Sequence, residues 1–202
     1  GSPIELPDLP PFLQHLDLCG SQLSTGTLPT LPATLKHLSC AHCDLTDLPD
    51  DLPPSLVHLN CGYNRLPALP ASLPVQLTHL TCRDNRLTAL PVLPGTLQHL
   101  DCSANADLTA PLPALPGSLV HLVCHSNNLS ALPVLPSGLT HLYCRKNRLV
   151  VLPAPLPPNL KHLRCGHNLL RRLPDLPPTL KELSCEEQQH GMEELPALQH
   201  TA

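Results

Sequence analysis

The 202-residue sequence is almost without aromatic side chains: one Phe, two Tyr and no Trp. That excludes an interior built on packed rings and leaves leucine to fill whatever core a chain of this length can bury. No run of 18 apolar residues occurs, so no membrane span is predicted. The N-terminus lacks the charged-then-apolar order of a signal peptide, so none is expected. Net charge is only −4 with histidine neutral, and together with the scarcity of stacking residues this argues against nucleic acid as a partner. No phosphate-cradling glycine loop or paired-carboxylate motif is present, which removes the usual anchors of a catalytic reading. Nine glycines against 27 prolines would suggest disorder, were leucines not spaced regularly among them.

What is abundant is repetition. Nine units align on one histidine position, among them LVHLNCGYNRL (56–66), LTHLTCRDNRL (77–87) and LTHLYCRKNRL (139–149). Their first leucines are Leu13, Leu35, Leu56, Leu77, Leu97, Leu119, Leu139, Leu160 and Leu180, spaced 20 to 22 residues apart. A period of that size predicts a solenoid. Between units runs LPxLPxxL, as in Leu90-Pro91-Val92-Leu93-Pro94-Gly95-Thr96-Leu97.

The phrase L-x-x-L-x-C-x-x-N-x-L resembles the leucine-rich repeat, and its combination with LPxLPxxL resembles the short bacterial repeats of secreted effectors of the YopM and IpaH type, over about Leu6 to Leu198. The expected fold is a leucine-rich-repeat solenoid. Each unit supplies one short parallel strand on H-L-x-C to a curved concave sheet, and proline fixes the convex segments as extended, polyproline II-like chain with little or no helix. Residues 1–2 read as a cloning scar and 3–202 as one domain of about nine repeats with atypical ends. The resemblance implies a non-catalytic module that binds a protein partner, from a bacterial effector acting in the host cytoplasm, a reducing compartment. In the IpaH branch it implies the substrate-recognition part of a ubiquitin ligase. Neither an N-terminal helical hairpin nor a C-terminal ligase domain is recognisable, so the chain reads as a fragment. A metal-binding or purely structural repeat is the remaining alternative. No cofactor is expected, and a monomer is.

Parity assigns each column of the repeat a face. Asn64, Asn85, Asn105, Asn127, Asn147 and Asn168 hold the position where a buried amide satisfies backbone groups of adjacent turns, with Ser21, Cys43 and Gln188 replacing it near the ends. Cys40, Cys61, Cys82, Cys102, Cys124, Cys144, Cys165 and Cys185 lie two residues after an inward leucine and point inward as small hydrophobes. Buried thiols do not make nucleophiles, and in-register strands do not offer disulfide geometry. Cys40-Ala41-His42-Cys43 and Cys82-Arg83-Asp84 superficially resemble a C-x-x-C motif and the Cys-x-Asp of IpaH-type ligases, but both fall on the repeat framework.

His15, His37, His58, His79, His99, His121, His141 and His162 face the concave side as a ladder. Stacked neutral rings are one reading, with coupled titration below the free-histidine value. The sharper one makes His58, His79, His99, His121 and His141 weak candidate ligands for zinc, copper or nickel. Recognition is placed on the position two residues after each histidine, because its chemistry varies along the array. Acids dominate residues 1–60, whereas Arg145, Lys146, Arg148, Lys161, Arg164, Arg171 and Arg172 fall in a stretch without acids. An acidic partner is therefore expected. The candidate binding residues are Tyr143, Arg145, Lys146, Arg148, Arg164, Tyr63, Arg83, Asp101 and Val123.

Overall fold

The computed structural model of the protein describes residues 6–23 and 26–188. Nine strands of three residues each form one parallel sheet: β1 (His15–Asp17), β2 (His37–Ser39), β3 (His58–Asn60), β4 (His79–Thr81), β5 (His99–Asp101), β6 (His121–Val123), β7 (His141–Tyr143), β8 (His162–Arg164) and β9 (Glu182–Ser184). Sequential strands are neighbours, and histidine pairs with histidine in every step until His162 meets Glu182. The described residues contain no helix. This is the solenoid expected from the period, with the strand and back segments that the resemblance to leucine-rich repeats implies.

The central leucine of each strand points inward while its two neighbours face the concave side. Leu38, Leu59, Leu80, Leu100, Leu122, Leu142 and Leu163 are buried accordingly, and the cysteines from Cys40 to Cys165 that follow are wholly buried. All ten cysteines are free thiols. In the first repeat Leu18 takes the cysteine place and Cys19 turns outward. The end leucines Leu13, Leu16, Leu180 and Leu183 are only partly buried, because each has a packed neighbour on one side.

Three hydrogen-bond devices join successive turns. Asn85 is representative of the first: its Oδ1 accepts from Leu66 N at 3.0 Å, and its Nδ2 donates to the carbonyls of Cys61 and Cys82 at 3.0 and 3.2 Å. Cys43, in the same place, donates its thiol to Leu18 O, while Gln188 donates to Cys165 O and accepts from Leu170 N. Longer or smaller donors thus replace the amide where the array begins and ends. In the second device, a hydroxyl one residue before the first leucine reaches two carbonyls of the preceding turn: Thr34, Ser55, Thr96, Ser118 and Thr179 all do so. In the third, the second proline of LPxLP accepts from the leucine three residues on, as in Leu97 N to Pro94 O at 3.1 Å, and closes the turn that enters each strand.

The chain leaves each strand through a left-handed residue two after the cysteine position. Gly20 fills it first, followed by His42, Tyr63, Asp84, Ala104, Ser126, Lys146, His167 and Glu187, with φ between 51 and 56°. For an L-residue this conformation costs about 1–2 kcal/mol, offset by the amide ladder that begins at the next residue.

Candidate binding surface

The ladder histidines stack face to face without interruption from His15 to His162, with centroids 4.0 to 4.4 Å apart and planes inclined by 10 to 28°. Parallel strands in register impose this, since each ring leaves its backbone at the same angle as the next. Hydroxyls of Thr78 and Thr140 lie 2.8 Å from the Nδ1 atoms of His79 and His141. Burial, followed by the charges of neighbouring rings, holds His37, His58, His79, His121 and His141 below their ordinary value, His121 at about 4. For His37 the charge of Lys36, and for His141 that of Lys161, adds to this, while Glu182 opposes it at His141.

Stacking also bears on metal binding by His58, His79, His99, His121 and His141. In-plane lone pairs on nearly parallel rings run side by side, whereas a tetrahedral or square-planar ion needs them to converge. Among the described residues no three His, Cys, Asp or Glu side chains form a metal-competent group. The buried column thiols are equally unsuited to act as nucleophiles: burial pushes Cys61, Cys102 and Cys165 up to about 12, and raises Cys82 too. Cys40 is likewise buried and raised, and Cys43 is occupied by Leu18 O.

Beside the ladder runs the variable column Asp17, Ser39, Asn60, Thr81, Asp101, Val123, Tyr143, Arg164 and Ser184, aligned residue for residue by the sheet register. Three members also serve the fold. Asp17, Asn60 and Asp101 accept from the backbone two residues on, at 3.0 to 3.2 Å, and so hold the strand exit. At the N-terminal end, the two columns enclose a groove of about 510 Å³ between β1 and β4, where Asp17, Ser39, Asn60 and Thr81 alternate with histidine edges.

The candidate residues fall into three places. Val123, Tyr143, Arg145, Lys146 and Arg164 line one depression of about 270 Å³, with Asp101 two strands away from Tyr143 in the same column. Tyr63 and Arg83 form a separate cluster, the guanidinium 4.8 Å over the Tyr63 ring and His42 stacked against the same ring at 4.0 Å. Arg148 lies apart, in a groove at the strand exits with Asn128 and His167, and only Lys146 borders both.

Two acids escaped the sequence reading. Glu182, standing where the ninth unit has Glu in place of His, lies 3.0 Å from His162 Nδ1 and accepts from Arg164 Nε at 2.7 Å; these two contacts, His162 first, hold its carboxyl below the usual range. Glu186 faces Arg145 at 3.4 Å. The acids that follow the basic stretch in sequence thus fold against it, and its positive charge is partly met from within. Their signal was present in LKELSCEE (180–187), part of the atypical end unit.

The chain is similar to YopM from Yersinia enterocolitica WA-314, 34% identical over 96% of this chain with a TM-score of 0.60, and to a Shigella effector LRR domain, 35% identical over 70% with a TM-score of 0.61. It is a leucine-rich-repeat protein of the YopM-like type. This leucine-rich-repeat chain spans 50% of the Yersinia chain and 61% of the Shigella chain. The functional domain of InlJ from Listeria monocytogenes, described as including a cysteine ladder, shares the fold at 23% identity over 91% of this chain and 55% of its own, with a TM-score of 0.60. No protein-family model matches the chain, and no curated protein does.

Proposed function

We propose that the protein is a non-catalytic recognition module that binds a protein partner along the concave face, as part of a bacterial effector acting in a host cell. The observation that carries this is the variable column: the sheet aligns nine side chains of seven types on one line of the concave face beside the histidine ladder. A framework whose buried columns repeat while this line on the concave face varies presents information along that line. Likeness to YopM and to the Shigella effector domain supports the host-cell setting. The second reading, substrate recognition for a cysteine-dependent ubiquitin ligase, rests on the Shigella likeness and requires a catalytic domain outside residues 1–202. The ladder thiols are wholly buried from Cys40 to Cys165 and do not supply the nucleophile.

The test is affinity capture from eukaryotic lysate with three folded proteins: wild type, a variant carrying Ser39→Arg, Asn60→Arg and Thr81→Arg, and one reversing Arg145, Lys146, Arg148 and Arg164 to glutamate. A partner held by wild type and lost from at least one variant is expected. The same captured proteins from all three would overturn the concave-face reading.

A further inference from the structure

The depression between β6 and β8 gathers more positive charge than a partner of unspecified chemistry needs. Arg164 comes from β8, while Arg145 and Lys146 follow β7; Val123, His125, Ser126 and Tyr143 complete the lining. The three cations are unequally occupied. Arg164 is fixed, donating to Glu182 at 2.7 Å and stacked 5.0 Å over the Tyr143 ring. Arg145 is held loosely, 3.4 Å from Glu186, with an Nε–H that has no acceptor. Lys146 has no carboxylate at ion-pair distance among the described residues. The Ser126 hydroxyl lies 3.1 Å from His125 Nδ1; in the tautomer that carries the proton on Nδ1 it accepts there and keeps its own proton for a ligand at the same place.

We propose that this depression binds the phosphate group of a phosphorylated side chain on the protein partner, an inference that rests on the protein-binding reading and specifies the chemistry of one contact. A volume of about 270 Å³ lies below the range of about 300–1,000 Å³ typical of small-molecule sites and suits a single side chain. A carboxylate from the partner gains little here, because Glu182 and Glu186 already supply that chemistry to two of the three cations. Phosphate carries about −1.5 to −2 charges and three strong acceptor oxygens, so it can engage Arg145, Lys146 and Ser126 together while Arg164 keeps Glu182. Arg145 can turn toward it without giving up a hydrogen bond at Nε. Burial, the largest cause, lowers the affinity of His125 for a proton; Asp101 raises it, and Arg83, Arg145 and Lys146 each lower it by less than Asp101 raises it.

The experiment is an NMR titration of the isotopically labelled chain with five-residue alanine-glycine peptides bearing a central phosphoserine or phosphotyrosine. Peptides with serine, tyrosine or glutamate at the centre, inorganic phosphate and a single-stranded oligonucleotide serve as controls. A phosphopeptide is expected to saturate shifts confined to the amides of Ser126, Arg145, Lys146 and their neighbours, with the uncharged and glutamate peptides inert. Arg145→Gln and Lys146→Asn should each weaken binding about ten-fold, and Lys161→Gln should not. Asparagine suits the left-handed backbone at 146, and thermal melts establish that each variant is folded. The proposal fails if no phosphopeptide saturates, if the glutamate peptide or the oligonucleotide binds as well, if inorganic phosphate alone gives the shifts, or if the variants bind like wild type. Lysate capture that depends on β2–β4 rather than on this depression would leave the protein-binding reading intact and sink this one.

Discussion

At the scale of the residue, the fold rests on small polar and apolar groups whose replacement has a definite sign. Cys82 is wholly buried, so Cys82→Ser places a hydroxyl where a thiol packed and should destabilise by about 1–3 kcal/mol in urea unfolding. An unchanged midpoint would contradict its inward position. Asn85→Ala is the harsher change, leaving buried Leu66 N without its acceptor and the carbonyls of Cys61 and Cys82 with one donor each, from Asn64 and Asn105. At about 1–3 kcal/mol for a buried group left unsatisfied, it should lower stability at least as much as the cysteine variant. The opposite sign is expected at Ala104, whose φ of 55° is unfavourable for a side chain. Relief of the left-handed strain exceeds the added unfolded-state entropy, so Ala104→Gly should stabilise by roughly 0.5–1 kcal/mol, read from the same unfolding curves.

At the scale of the element, the histidine ladder makes acid a structural variable. In the native column His37, His58, His79, His121 and His141 bind protons less readily than in the unfolded chain. At pH 7 both states are neutral and the ladder contributes no pH dependence. As pH falls below about 6.5 the unfolded state takes up protons first, so stability declines, and the decline continues down to about 4, where His121 itself charges. Glu182 and Glu186, held below 4.5, add a loss of stability only once pH drops under that value, so the interval between 6.5 and 4.5 reports the histidines. Urea unfolding at pH 7 and pH 5 should show a clear loss, and His79→Thr should shrink that loss while leaving the pH 7 fold nearly intact. Equal stability at both pH values would mean the stacked rings protonate as freely as unfolded ones.

At the scale of the whole molecule, every strand touches only its sequence neighbours, so stability should vary along the axis. The middle leucines are fully shielded, whereas Leu13, Leu16, Leu180 and Leu183 are partly open. Native-state hydrogen exchange should therefore release the amides of β1 and β9 first and those of β4 to β6 last. Uniform protection would show that the solenoid opens as one unit. Charge is arranged along the same axis, and the contacts of Glu182 and Glu186 with Arg164 and Arg145 close the basic end of the array.

The repeat period, the leucine spacing and the alternation of faces were legible in the sequence, because a strand side chain has only two directions and a leucine recurring every 20 to 22 residues can be buried only by stacking. The inward cysteines followed from the same parity, and the asparagine ladder from its fixed place three residues beyond them, where the chain leaves the strand. What tertiary structure decided is how side chains from different turns meet. Stacking at 4.0 to 4.4 Å joins eight histidines into one ring column. Contacts across 18 and 41 residues of chain set Glu182 against Arg164 and Glu186 against Arg145. The basic candidates parted for a similar reason: residues one and two positions beyond Cys144 stay with the strand, while Arg148 lies past the turn that Asn147 holds. Periodicity fixes a residue's column, but the partner across the turn depends on rotamers and distances that no single repeat contains.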